Sequence, residues 1–196
     1  MDYSEFIKHI EVGHSMGVGT HFESWFLTAG HVIPPSCATN VMLHGKLKQL
    51  AAPAFFNFDA EGDQFSNDLA VFDVAPAFSP LKLSNAIAQP NTVLNCVVFR
   101  RKAHIYSNST IFSGGYNTPE EYESVPCTVT VLSVVGKYLF CDSYPFEFRV
   151  GDSGTPIFFG DKIYGILSRG GESDHSSKTY FLSSKAILDY MDQNKI

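Results

Sequence analysis

No stretch of this 196-residue chain is apolar for long enough to span a bilayer as a helix. Basic excess is missing as well. Fourteen Lys and Arg face twenty Asp and Glu, and the net charge of −6 argues against binding nucleic acid by bulk charge. The opening Met1-Asp2-Tyr3-Ser4-Glu5 has neither the basic nor the apolar region of a signal peptide. There are only four cysteines, Cys37, Cys96, Cys127 and Cys141, with no CxxC and no Cys/His pair at zinc spacing. A structural metal is therefore not expected, no cofactor is implied, and the thiols are expected to be free and buried, as in a reducing compartment. Internal repeats and low-complexity segments are absent.

What the chain does have is glycine, proline and short apolar runs, which predict many strands and turns. Phe6 to Gly13 reads as a strand or a short helix leading into one. Strands follow at Val18–Phe22, Ser24–Val32, Val41–Leu43, Leu50–Phe58 and Asp68–Val74, with Phe55, Phe56 and Phe58 as core and Asp59–Ser66 as a polar turn. Ala75–Asn91, with several prolines, reads as a linker. Beyond it come Thr92–Phe99 with Arg101–Tyr106 as its hairpin partner, and a surface loop at Ser107–Ser124. Thr128–Val135 and Tyr138–Asp142 flank the two-residue hairpin turn Gly136-Lys137. The remaining strands are Thr155–Phe159, Ile163–Ser168 and Thr179–Leu182. Ser183–Gln193, with Ile187, Leu188 and Met191 on one face and a serine N-cap, predicts a closing helix.

Three segments carry chemistry. In Arg149-Val150-Gly151-Asp152-Ser153-Gly154-Thr155-Pro156, glycines flank Ser153 closely enough to let the backbone turn. The amides of Gly151 and Ser153 could then share one small space. A serine hydroxyl needs a base to attack a carbonyl and donors for the oxyanion that results. Phe26-Leu27-Thr28-Ala29-Gly30-His31-Val32 offers the base, and Asn67-Asp68-Leu69-Ala70-Val71-Phe72 offers a carboxylate to orient it. Asp59, Asp63 and Asp73 are rivals to Asp68, but Asp73 lies inside a strand and the others lack the following Leu-Ala-Val. Gly13-His14-Ser15-Met16-Gly17 also fits G-x-S-x-G, yet too little chain precedes Ser15 to build the strands an elbow of that kind follows. It reads as a turn.

The Gly-Asp-Ser-Gly, Thr-Ala-Gly-His and Asn-Asp-Leu-Ala segments, in the order His, Asp, Ser, resemble the chymotrypsin-like serine proteases. The resemblance runs from about Gly17 to the end. It implies an all-β fold of two antiparallel six-stranded β-barrels with a C-terminal α-helix. Residues 1–75 would form the first barrel, 76–91 the linker, and 92–196 the second barrel with the helix. It implies His31, Asp68 and Ser153 as the catalytic residues, Gly151 and Ser153 as the oxyanion hole, and a polypeptide substrate. Ser168 matches the serine that supports the aspartate, and Arg169 and Gly170 lie on the strand that pairs with substrate. Arg169 replaces the tryptophan common in secreted members. Glu147 falls at the floor of the specificity pocket, where a buried carboxylate would select Lys or Arg. Leu167 stands where viral enzymes that cut after Gln or Glu often carry histidine.

Secreted zymogens of this family expose a new Ile or Val amino terminus that pairs with the Asp before the serine. No such clip site is visible here, so Asp152 requires backbone amides or a basic side chain instead. Small size and the Gly-Asp-Ser-Gly-x-Pro form with Gly170-Gly171 look most like proteases of positive-strand RNA viruses, such as the arterivirus main protease and the alphavirus capsid protease. Polyprotein processing in the host cytoplasm is the expectation that follows. The alternatives are a secreted bacterial trypsin-like or glutamyl endopeptidase, a capsid-type protease that cuts itself out once, and an inactive binding module on the same fold. The short basic run Arg100-Arg101-Lys102 reads as a solvated turn.

Overall fold

A computed structural model describes residues 3, 6–12, 15–33, 39–43, 46–50, 55–57, 67–74, 79–101, 122–170 and 175–194, with backbone alone at 39–43, 46–50, 55–57, 170 and 175. The N-terminal half is built on a meander. Strands β1 (Ile7–Val12), β2 (Ser15–Phe22) and β3 (Trp25–Thr28) pair antiparallel in sequence. β4 (Thr39–Leu43) and β5 (Lys46–Leu50) form a two-stranded ribbon. β6 (Phe55–Asn57) and β7 (Leu69–Asp73) complete a five-stranded sheet in the order β1-β2-β3-β7-β6. The six-stranded first barrel expected from the sequence is thus represented, among the described residues, by five strands and a separate ribbon.

The C-terminal half closes completely. Its strands are β8 (Lys82–Leu83), β9 (Val93–Arg101), β10 (Tyr122–Val135), β11 (Tyr138–Asp142), β12 (Phe148–Arg149), β13 (Pro156–Phe159), β14 (Lys162–Gly170), β15 (His175–Ser176) and β16 (Lys178–Ser183). The order β13-β9-β10-β11-β16-β14 returns to its start through β13–β14 pairing, which makes a six-stranded barrel with no free edge of its own. β8, from the expected linker, adds in parallel to β14. β12 and β15 form a short ribbon beside the barrel. Helix α1 (Ser184–Gln193) follows, with the Ser183 hydroxyl accepting from the Ala186 amide at 3.2 Å.

Period-two alternation explains how the halves adhere. All of Leu69, Ala70, Val71 and Phe72 on β7 are buried. Ala70 and Phe72 face the core of their own half with Ile10, Val12 and Phe26. Leu69 and Val71 face the other way, onto Ile166, Leu182, Ile187 and Met191 of the second half. A second joint packs Ile7 and Val18 against Leu81, Phe158 and Ile163.

Several expectations change. β9 runs through Arg101, and its hairpin partner is β10, with Arg101 opposite Tyr122. Residues 122–124, assigned to a surface loop, are therefore strand, because they extend that ladder. Residues 102–106 of the expected partner strand, the turn at 59–66, Phe58, Gly171 and Cys37 lie outside the described residues, as do the side chains of Phe55 and Phe56. The expectation of free thiols also fails. Cys96 and Cys127 sit directly opposite on β9 and β10, with Cα atoms 5.2 Å apart, and are joined in a disulfide. Cys141 is a free, buried thiol whose pKa burial pushes up to about 12, so it stays protonated and inert.

His9 on β1 stacks on Tyr122 of β10 at 4.0 Å between ring centroids and contacts Glu11 at 3.5 Å. Burial lowers its pKa below the ordinary 6.5, against the smaller raising pull of Glu11 and Asp152. The unfolded chain therefore takes up this proton before the folded one. The stability held by neutral His9 is complete above about pH 6.5 and is lost as pH falls toward its lowered folded-state pKa. Denaturation midpoints of wild type and His9→Gln should accordingly differ in slope: the drop between pH 7.5 and 5.5 is expected to be shallower in the variant.

Candidate active site

The β3–β7 ladder sets the first contact. Thr28 pairs with Ala70, so the chain leaving β3 at 29–31 passes the chain entering β7 at 67–68. A single 3-10 turn at Gly30–Val32 then presents His31. Asp68 adopts a left-handed backbone with φ of 41°, a strained conformation for a non-glycine residue. Its carboxylate accepts from the His31 amide at 2.9 Å and bonds His31 Nδ1 at 2.8 Å. Ser168 Oγ, from β14, donates to the same carboxylate at 2.5 Å. The Asp68 side chain is 7% exposed and that of His31 33%, so the carboxylate is sealed while the ring reaches the cleft.

Across the cleft, His31 Nε2 lies 2.7 Å from Ser153 Oγ. With the carboxylate accepting at Nδ1, that nitrogen carries the proton and Nε2 is left to accept from the serine. Three residues separated by 37 and 122 positions thus form one hydrogen-bonded chain.

The turn that carries Ser153 is pinned from both halves. The Val18 amide of β2 donates to the Ser153 carbonyl at 2.7 Å, and the Gly154 amide donates to the Leu167 carbonyl of β14 at 2.7 Å. Thr28 Oγ1, one turn before His31, holds the Val18 carbonyl at 2.9 Å. Gly151 and Gly154 have φ of 98° and 92°, which L side chains rarely adopt. A Cβ at Gly154 would stand 2.0 Å from the Val18 carbonyl oxygen and 2.7 Å from Thr28 Oγ1. Among the described residues, the amides of Gly151 and Ser153 make no backbone hydrogen bond and remain available to an incoming oxygen.

The other expected site residues are scattered around this chain. Ser168 is buried at the aspartate, as its place on β14 predicts. Arg169 is exposed, with its guanidinium 5.5 Å from the centre of the Tyr138 ring, and Gly170 pairs with Thr179. Glu147 is exposed, while its neighbour Phe148 turns into the core. The buried carboxylate needed for a basic-selective pocket is therefore not formed there.

Two residues escaped the sequence reading. Tyr138 is buried and bonds the Ser168 and Arg169 side chains; burial first, then the Asp68 charge, raise its pKa above 10. Arg100 is not in a solvated turn. It is in β9, and it pairs with Asp152 at 2.7 Å. A buried carboxylate next to the nucleophile was the available signal, but its partner lies 52 positions away. Among the described residues no cluster of His, Cys, Asp or Glu could hold a metal ion, and no helix is long and apolar enough to cross a membrane.

The fold is that of the chymotrypsin-like serine proteases. Among solved structures, the scabies mite inactivated protease paralogue S-D1 superimposes with a TM-score of 0.70 at 11% identity, covering 96% of this chain and 91% of that one. A kallikrein-related peptidase 10 complex with Zn2+ gives 0.67 at 17%, covering 96% and 94%. The inactive form of the Rv3671c protease gives 0.61 at 14%, covering 99% and 91%. No family model and no curated protein matches the sequence.

The close approach at Gly154 makes a sharp expectation. Gly154→Ala must accommodate both a left-handed backbone and a collision with Val18, and should lower unfolding free energy by about 3 kcal/mol or more in urea titration.

Proposed function

We propose that this chain is a serine endopeptidase that cleaves peptide bonds through an acyl-enzyme. One observation carries this reading: the unbroken path from Ser153 Oγ through the His31 ring to the Asp68 carboxylate. In the first step Ser153 Oγ bonds to the scissile carbonyl carbon and its proton passes to His31 Nε2. The carbonyl oxygen becomes an oxyanion, which the Gly151 and Ser153 amides receive. The C–N bond then breaks as His31 returns the proton to the leaving amine. Water repeats the sequence on the ester and regenerates the serine. Asp68 holds Nδ1 and stabilises the imidazolium, and Ser168 holds Asp68.

β14 supports extended substrate. Among the described residues it pairs with β16 as far as Gly170 but with β13 only as far as Ile166, which leaves the other edge of 168–170 for a peptide strand. Viral polyprotein processing in the cytoplasm is the finer reading, supported by the Gly-Asp-Ser-Gly-x-Pro form and the Gly170-Gly171 pair. The Cys96–Cys127 disulfide favours the second reading, a protease of an oxidising compartment. Intact mass after alkylation of protein from its native source decides between these: two added groups on unfolding, at Cys37 and Cys141, support the second, and four support the first.

A fluorophosphonate probe and a peptide library test the central claim. Wild type should form an adduct on Ser153 and cut peptides; Ser153→Ala should do neither. Asp68→Asn should lower kcat by about 10⁴-fold through loss of the useful tautomer. Wild type without adduct or cleavage would return the chain to the inactive binding module considered above.

A further inference from the structure

β14 changes character at its end. Its ladder with β16 shifts register between Leu167 and Arg169, so the strand bulges at Ser168. A bulge re-aims the side chains around it. Ser168 is buried and donates to Asp68, while the very next residue, Arg169, is exposed. One strand therefore supports the triad with one residue and offers a cation to solvent with the next. That cation runs against the charge of the chain, in which twenty Asp and Glu outnumber fourteen Lys and Arg. Among the described residues no carboxylate forms a salt bridge with it.

The Arg169 side chain is nevertheless held. Its guanidinium lies 5.5 Å from the centre of the Tyr138 ring and bonds the Tyr138 side chain. Tyr138 is itself buried and paired in β11 with Leu182 of β16. A guanidinium has five N–H donors, more than one phenol oxygen can take. Its planar fork matches a carboxylate, and a fork already resting on a ring loses less freedom when it takes one.

Among the described residues the edge of β14 away from β16 is open at 168–170. A peptide strand laid on that edge sends successive side chains to opposite faces, so every second one shares the face of Arg169. The side chain directly opposite would have its Cβ about 5 Å from that of Arg169, within reach of a salt bridge. We infer that Arg169 is a specificity-determining residue that selects substrates carrying Asp or Glu at the one position lying beside it on this edge. The inference rests on the endopeptidase reading above and names the substrate class for the same cleft. The pair is exposed, so it tunes the choice of peptide and does not gate the chemistry.

The test takes a peptide cut in the library screen and places Glu, Gln or Lys at each position around the scissile bond in turn. In wild type, kcat/KM should fall from Glu to Gln to Lys at one position, by about two- to fivefold per step. Its immediate neighbours should show no such order. Arg169→Glu should reverse the order at that position, and Arg169→Gln should flatten it. Only ratios within each variant are compared, so a general loss of activity, as from damaged packing, cancels. Lys162→Glu makes the same kind of charge reversal at the other end of β14, about 23 Å away at roughly 3.3 Å per residue, and should keep the wild-type order. Raising salt from about 20 to about 500 mM shortens the screening length from about 20 to about 4 Å and should shrink the preference. If Arg169→Glu does not fold, Arg169→Gln carries the comparison, with circular dichroism as the folding control. Wild type that cleaves without this order at any position, or an order that survives in both Arg169 variants, would overturn the inference alone. Wild type that neither cleaves nor takes the fluorophosphonate would overturn it together with the endopeptidase reading.

Discussion

His31 must reach two partners at once, Asp68 in its own half and Ser153 in the other. That demand places the whole fold under one geometric constraint: the two halves must meet at a fixed spacing, to within the tolerance of a hydrogen bond. β7 does most to meet it, because its alternate residues belong to two different cores. A slip of one residue in β7 would exchange those cores and turn Leu69 and Val71 inward. The direct bond from the Val18 amide to the Ser153 carbonyl fixes the same spacing at the chemistry itself. The burial of Ala29, Thr28 and Val32 around the His31 turn leaves that residue little freedom to compensate.

Both buried carboxylates of the site are satisfied from a distance. Asp68 draws on His31 and on Ser168 of the opposite half, and Asp152 on Arg100. Each is thus a checkpoint on tertiary structure. Neither has its full set of partners until strands far apart in sequence have paired. The strained φ at Asp68 has the same meaning: the conformation persists because three donors converge on the carboxylate.

How much of this was legible beforehand depended on range. The nucleophile turn announces itself because its requirements are local: glycines where φ is positive, and the aspartate and serine between them. His31 and Asp68 were readable because each ends or begins a buried strand whose apolar run is plain. The closing helix was readable from its period and its serine cap. What failed was long-range pairing. Arg100 looked solvated because three consecutive cations usually are. Cys96 and Cys127 looked like isolated thiols because nothing in their spacing reveals that β9 and β10 place them opposite. Tyr122–Ser124 looked like loop because polar residues on an extended hairpin carry no strand signature. Glu147 matched a position in a motif, but the burial that gives such a position meaning was supplied by Phe148 instead.

The seam between the halves has an effect on how the protein would lose function. Ser153 and its imidazole stand on opposite sides of it, whereas each β-sheet keeps its own apolar interior on one side. A wedge of a single ångström, from pressure, a bulky replacement at Gly17 or a ligand in the crevice, stretches the 2.7 Å contact beyond bonding while leaving both interiors dry. Under the proposed mechanism, such a wedge would interrupt proton transfer from Ser153 to His31 while circular dichroism stays unaltered.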